Sequence, residues 1–261
     1  MNPYEIVNNL IKPLPARTKE ILRRRFGLNR KKPQTLQAIG TSHGLTRERI
    51  RQIESKALAS IKKSRDIYKP ILLDLEKIFI KHKKLASAEK LSQDFVGFQA
   101  PYFFILHTDG GFFKFCNNQN FKYHWASDKN VADRAQKGIL NLTQYLTNKK
   151  EPVEKQDVAA YVDLDYLEIS KVIAKNVFEQ FGLISWPEIT PSGVRDKAYI
   201  VLKQAQKPLH FKEITNLINQ ANFADGRRAY SPTVHNELIR DPRFVREGLG
   251  IYGLSNNLGN Y

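Results

Sequence analysis

The sequence predicts a mainly α protein: an N-terminal helix-turn-helix followed by tandem winged-helix (α+β) units. Three observations predict it. Apolar residues recur at helical spacing through most of the chain, punctuated by Pro and Gly. Groups of helical patterns are followed by short strand-like runs around glycines, which is the order of a winged helix. The third observation is where the charge lies. The 261 residues carry a net +16, yet Lys12 to Lys69 hold 17 Lys+Arg against 4 Asp+Glu. That segment alone is +13, and residues 70–261 together carry about +4. A basic segment built of short helices favours a polyanionic partner, nucleic acid before membrane.

The elements follow in order. Pro13 and Pro15 punctuate the start. "PARTKEILRRRFG" reads as a helix with Pro15 at its first position and Gly27 as its stop. "NRKKP" (29–33) is a basic turn. "TLQAIGTSH" is a short helix capped by Thr35, Gly44 makes a tight turn, and Thr46 caps a helix from Arg47 to about Lys63. "ILLDLEKIFIKH" and "SAEKLSQDF" are helical, and "YFFILHTDGGFFKF" alternates around Asp109-Gly110-Gly111, a hairpin signal. "VADRAQKGILNLTQYLTNKK" is a helix with Ile139, Leu142, Tyr145 and Leu146 on one face. "VEKQDVAAYV" and "YLEISKVIAKNVFEQFG" read as two more helices, with "LISW" as a strand of a reduced wing. Helices at 194–206, 210–221 and 232–240 then precede two strands in "RFVREGLGIYGL"; Ser231 caps the last helix and Pro232 opens it. Domains are therefore expected at 1–69, 70–130, 131–190 and 191–261.

The helix from Arg47 carries the functional question. Ile50, Ile53 and Ala57 share one face, leaving Arg47, Glu48, Arg51 and Gln52 together on the other. Arg pairs with guanine, Gln with adenine, and Glu accepts from cytosine N4. Two helices joined by a tight turn, with such side chains early in the second, are the arrangement that enters a major groove. Arg17, Arg23, Arg24, Arg25 and the basic turn residues Arg30, Lys31 and Lys32 are candidates for phosphate neutralisation.

"LPARTKEILRRRFGL" followed by "TLQAIGTSHGLTRERIRQIESKAL" closely resembles region 4 of sigma-70 family factors, over Leu14 to Lys63, about a fifth of the chain. In that family the domain lets bacterial RNA polymerase recognise the −35 promoter element. The resemblance implies that Arg47, Glu48, Arg51 and Gln52 face bases of double-stranded DNA. It also implies phosphate or backbone roles for Arg17, Arg25, Thr35, Leu36, Thr46, Arg49 and Lys56. Two features depart from the family: the turn before "TLQAIG" is basic, and Gln37 and Ala38 stand where paired glutamates are usual. Nothing before the match resembles the region that opens and reads the −10 element, so the expectation is a sigma-like promoter reader rather than a complete sigma factor.

Residues Gly193 to Leu254, with "PLHFKEI", "TVHNELIRDPRF" and "GIYGL", resemble the HARE-type helix-turn-helix, a winged-helix module found in the delta subunit of bacterial RNA polymerase. Arg227, Arg228, Thr233, His235 and Asn236 cluster near a helix start there, as a second DNA or partner site.

Enzymatic chemistry finds no constellation. His107, Cys116 and His124 match no zinc spacing, and Cys116 reads as a buried small hydrophobe. Asp109-Gly110-Gly111 lacks the Lys-Ser/Thr of a phosphate loop. The aromatics Phe112, Phe113, Phe115, Phe121, Tyr123 and Trp125 are read as core rather than as a stacking platform for bases. No cofactor, metal or small-molecule substrate is expected. One cysteine precludes an intrachain disulfide, and no apolar run is long enough to span a bilayer. The expectation is a cytoplasmic, nucleoid-associated transcription regulator or RNA polymerase auxiliary factor. The competing readings are an adaptor that docks on polymerase without reading sequence, and the recognition component of a defence or restriction system.

Overall fold

The structure is a computed structural model that describes residues 2–255. The chain divides into two compact units, Met1–Ala135 and Gln136–Tyr261.

The first unit opens with a helix that its prolines concealed: α1 (Pro3–Ile11), capped by the Asn2 side chain, which accepts from the Tyr4 N–H at 2.9 Å. Next come α2 (Ala16–Phe26), α3 (Leu36–His43) and α4 (Arg47–Lys62). Pro15 proves to be the cap of α2 rather than its first residue. Thr35 and Thr46 cap α3 and α4 as expected, accepting from the N–H groups of Ala38 and Arg49. Between them Gly44 takes φ +63°, a left-handed conformation that suits glycine. Gly40 is needed for a different reason: a Cβ there would lie 2.6 Å from the Leu45 carbonyl oxygen, so the α3–α4 turn closes over a bare backbone. Ile21, Ile39 and Ile50 form a small core between the three helices, edged by Leu36, Leu45 and Ile53.

A larger core joins these helices to the rest of the first unit. The helix α5 (Arg65–Lys81) includes Pro70, whose missing N–H forgoes a bond to the carbonyl of Asp66. Both residues are exposed, so water can take that bond. The order then runs β1 (Leu85–Ser87), α6 (Ala88–Asp94), α7 (Gln99–Asp109), β2 (Phe113–Phe115) and β3 (His124–Ala126). The strands form an antiparallel sheet in the order β1-β3-β2.

The predicted hairpin through 102–115 is wrong in its first arm: "YFFILHTD" belongs to α7. Tyr102, Phe104, Ile105 and Leu106 are all buried, and the helix packs against α1, α2, α4 and α5. A helix buried on most sides loses the 3.6-residue periodicity that separates it from a strand. The expected turn at Asp109-Gly110-Gly111 is the end of this helix, with Gly110 at φ +79°. The buried Asp109 carboxylate accepts from Tyr68 Oη at 3.2 Å and from the Gly111 N–H at 3.1 Å, and pairs with Arg65 at 3.2 Å.

The second unit takes up most of α8 (Lys129–Lys149), where Ile139, Leu142 and Leu146 are buried and Tyr145 stacks on Tyr161. A single bridge at Val153, paired with Phe181, precedes α9 (Lys155–Ala159). The helix predicted over "YLEISKVIAKNVFEQFG" is not formed. Leu164–Ile169 is a short 3₁₀ turn, and a hairpin of β4 (Ile173–Lys175) and β5 (Phe181–Leu183) follows. Asn176 dictates the turn: its Oδ1 accepts from the N–H groups of Phe178 and Gln180, and Glu179 adopts φ +64°. This side chain offers the backbone an alternative to the helix.

The last elements are α10 (Val194–Ala205), β6 (Leu209–His210), α11 (Phe211–Gln220), α12 (Ser231–Arg240), β7 (Phe244–Gly248) and β8 (Ile251–Leu254), with sheet order β6-β8-β7. Ser231 is the first residue of α12 rather than its cap, which is Tyr230. Helix, strand, two helices and two strands, with the final strand central, is the order of α5 to β3 as well as of α10 to β8. The stretch from α8 to β5 follows the same plan with its first strand reduced to a bridge and its third helix to a 3₁₀ turn.

Candidate nucleic-acid interface

The local chemistry of α4 explains what it presents. Ile50 and Ala57 are buried and Ile53 half-buried, so this face packs into the protein. Arg47, Glu48, Arg51 and Gln52 are all exposed on the other side, as the spacing predicts. Three of them bond to one another. Arg51 grips Glu48 with two bonds of 2.7 and 2.8 Å. Gln52 donates to Glu48 at 3.4 Å and accepts from Arg49 at 3.2 Å. The Arg51 hydrogen bond holds the Glu48 carboxyl below its ordinary range, so the pair is charged at neutral pH. It lies fully in solvent, where such a pair is weak and readily exchanged for another partner. The side chains of Arg47 and Lys56 are exposed and make no hydrogen bond or ion pair among the described residues.

The residues assigned to phosphates divide into two groups. Arg17, Arg49 and Lys56 are exposed, with Arg17 donating to the His43 carbonyl at 3.1 Å. Thr35 and Thr46 spend their hydroxyls on helix caps, and Leu36 is half-buried beside the small core. Arg25 is engaged internally: it pairs with Glu54 at 3.3 Å and donates to the Gln34 carbonyl at 3.1 Å. Arg24 does likewise, bonding Gln34 Oε1 at 2.8 Å and Ser42 Oγ at 2.7 Å. These two arginines therefore lock α2 to the helix pair that carries the exposed face, a role that sequence reasoning missed. One signal was available. Glu54 sits on α4 next to the buried Ile50–Ile53–Ala57 stripe, where a mostly buried carboxylate needs a cation.

Residues 10–63 match the family model for sigma-70, region 4. They are a sigma-70 region 4 domain. Over 59 residues, the chain is 48% identical to the RNA polymerase principal sigma factor HrdD of Streptomyces coelicolor. It is 39% identical over 59 residues to the RNA polymerase sigma factor RpoD of Neisseria gonorrhoeae, and 43% identical over 58 residues to the RNA polymerase sigma factor SigA of a Bacillus species. These stretches are 22–23% of this chain, and they span 18%, 9% and 15% of those three proteins respectively. The region 4 domain thus coincides with α2 to α4 and the end of α1.

In the second unit, Thr233 and Asn236 are exposed on α12, and Arg227 and Arg228 are exposed just before it. His235 does not join them. It is half-buried, stacked on Phe211 at 4.5 Å and edge-on to Tyr252 at 5.7 Å. Lys197 is nearly buried and bonded to Asp225 at 2.6 and 2.8 Å, which steadies the loop that carries the two arginines.

Elsewhere the aromatic expectation holds in part. Phe121 and Trp125 are buried, Phe112, Phe115 and Tyr123 are half-buried, and Phe113 is exposed. Cys116 is exposed, contrary to the buried hydrophobe expected, because it lies just past the end of β2. His107 and His124 each bond a carbonyl through Nδ1, to Phe103 and Lys122 at 2.7 Å. Among the described residues no cluster of His, Cys, Asp and Glu could hold a metal ion, and no helix is long and apolar enough to cross a membrane.

Proposed function

We propose that this protein is a DNA-binding transcription regulator or auxiliary factor of bacterial RNA polymerase, whose region 4 domain reads a −35-like promoter element in double-stranded DNA. The observation that carries this reading is the exposed quartet Arg47, Glu48, Arg51 and Gln52 on the first turns of a capped helix within the matched residues. Arg47 and Arg51 would bind guanine edges, Gln52 adenine, and Glu48 the cytosine amino group. Entry into a groove exchanges the solvent-exposed Glu48–Arg51 pair for base contacts. Arg17, Arg49 and Lys56, with the N-termini of α3 and α4 at Thr35, Leu36 and Thr46, would hold phosphates. Arg25 would act at the same surface through Glu54 and Gln34. The second unit would supply a HARE-type winged helix, with Arg227, Arg228, Thr233 and Asn236 toward DNA or a partner and His235 as a packing residue. The mechanism is binding throughout, phosphates giving affinity and α4 giving sequence preference.

Gln52→Ala is the test of this assignment. It is expected to relax preference at one base step, by about 1–3 kcal/mol for a bidentate contact, in competition binding against single-base variants of the site. A uniform loss across all variants would refute a base-reading role. One observation favours a second reading: Glu48, Arg51 and Gln52 satisfy one another within α4. On that reading the domain docks on polymerase without choosing a sequence, and polymerase capture would be unaffected by Gln52→Ala while duplex binding shows no preference to lose.

A further inference from the structure

The first unit holds a second cationic surface, to which the exposed quartet does not contribute. A cavity of about 980 Å³ lies between the start of α1, the basic turn after α2, and the segment from α6 into α7. Its cations are Arg25, Arg30, Lys31 and Lys114, and among the described residues no Asp or Glu lines it. Glu54 compensates Arg25. The other three pair with no carboxylate among the described residues. Three uncompensated charges around a concave, partly apolar surface focus positive potential. The turn is built to hold two of them there: Asn29 Oδ1 accepts from the Lys31 N–H at 3.2 Å, and Arg30 donates its N–H to the Gly27 carbonyl while sitting at φ +60°.

The walls between the cations are aromatic. The Tyr4 and Phe98 ring centroids are 6.1 Å apart, and the Arg30 guanidinium lies 5.2 Å from the Tyr4 ring. The Lys114 ammonium lies 5.2 Å from the Tyr123 ring and 3.2 Å from His107 Nε2. Cations set on half-buried rings are positioned and partly desolvated, ready for an anion. A ligand that satisfies both features needs negative charge and a flat π-face. Nucleotides have both, and the volume falls in the range of small-molecule sites.

We propose that this cavity binds a nucleotide, with its base against the Tyr4–Phe98 wall and its phosphates on Arg30, Lys31 and Lys114. The same chemistry is offered by a free nucleotide and by a unit of single-stranded nucleic acid. None of Arg47, Glu48, Arg51 and Gln52 lines this site.

Calorimetric titration of the full chain separates the outcomes. The probes are ATP, a four-residue oligodeoxyadenylate, tripolyphosphate and a hexaglutamate peptide. The expected result is ATP binding that Arg30→Gln, Lys114→Gln and Tyr4→Leu each weaken about tenfold, while Arg51→Ala leaves it unchanged. Oligonucleotide binding tighter than ATP and sensitive to the same three substitutions assigns the site to a strand; otherwise the free nucleotide is the ligand. Arg30 and Lys114 are exposed, so their variants report binding even where Tyr4→Leu perturbs α1. The proposal is overturned by absence of ATP and oligonucleotide binding. It is equally overturned if tripolyphosphate or hexaglutamate binds as tightly as ATP, or if the Arg30 and Lys114 variants bind like the parent.

Discussion

Phe104→Ala is expected to destabilise the first unit by about 4 kcal/mol, the usual cost of removing a buried phenyl ring and leaving a cavity. Phe104 is fully buried on α7 and meets Phe26 of α2 edge to face, with centroids 5.1 Å apart. One core contains Leu22 and Phe26 of α2, Ala57 and Ile61 of α4, the buried residues of α1 and α5, and Tyr102, Phe104, Ile105 and Leu106 of α7. The region 4 helices therefore lean on a helix that lies outside the matched residues. Chemical denaturation in a Trp186→Phe background should show helix content and Trp125 fluorescence shifting together, since Trp125 belongs to that same core. Phe113→Ala, on an exposed strand position, should cost less than about 1 kcal/mol. Similar losses for the two variants would show that α7 is not the support described.

Acid is expected to weaken the same unit before its carboxylates titrate. His107 is enclosed by Phe26 and Trp125, with ring centroids at 5.2 and 4.8 Å. Burial lowers its pKa from 6.5 to about 4, and the nearby Lys114 and Arg25 charges push the same way. The hydrogen bonds fit the neutral ring, with Nδ1–H donating to the Phe103 carbonyl and Nε2 accepting from Lys114. Between pH 6.5 and about 4 the unfolded chain holds a proton there that the folded chain does not. Unfolding takes up that proton, so this contribution is complete above pH 6.5 and lost as pH falls toward 4. The loss is up to about 3 kcal/mol, since each tenfold drop in proton affinity is worth roughly 1.4 kcal/mol. His124, also lowered by burial, acts in the same direction. His107→Gln should flatten the dependence of the denaturation midpoint on pH in that window. An unchanged slope would contradict a half-buried His107 that is neutral in the folded chain.

The helix-turn-helix was legible because its signals are local. Thr35, Gly44 and Thr46 mark the ends of α3 and α4, and Ile50, Ile53 and Ala57 fix which face is exposed. What the sequence concealed was tertiary. Burial of α7 among four other helices erased its period, so "YFFILHTD" read as a strand. The hairpin at 173–183 depends on where one Asn side chain turns, which composition does not reveal. At the candidate interface the four exposed side chains of α4 were readable from spacing alone. The internal commitments of Arg24 and Arg25 were not, because their partners Gln34, Ser42 and Glu54 lie 9 to 29 residues away in sequence. His235 misled for the same reason: its ring partners Phe211 and Tyr252 are distant along the chain.

The most direct measurement is titration of the full chain into two duplexes of equal length, one with a −35-like hexamer and one with that hexamer scrambled, at several salt concentrations. Affinity for both should fall as salt rises, since phosphate neutralisation releases counterions. The hexamer should remain the tighter site at every salt, by a margin that Gln52→Ala reduces. Equal binding of the two duplexes at all salts would contradict the claim that α4 reads sequence.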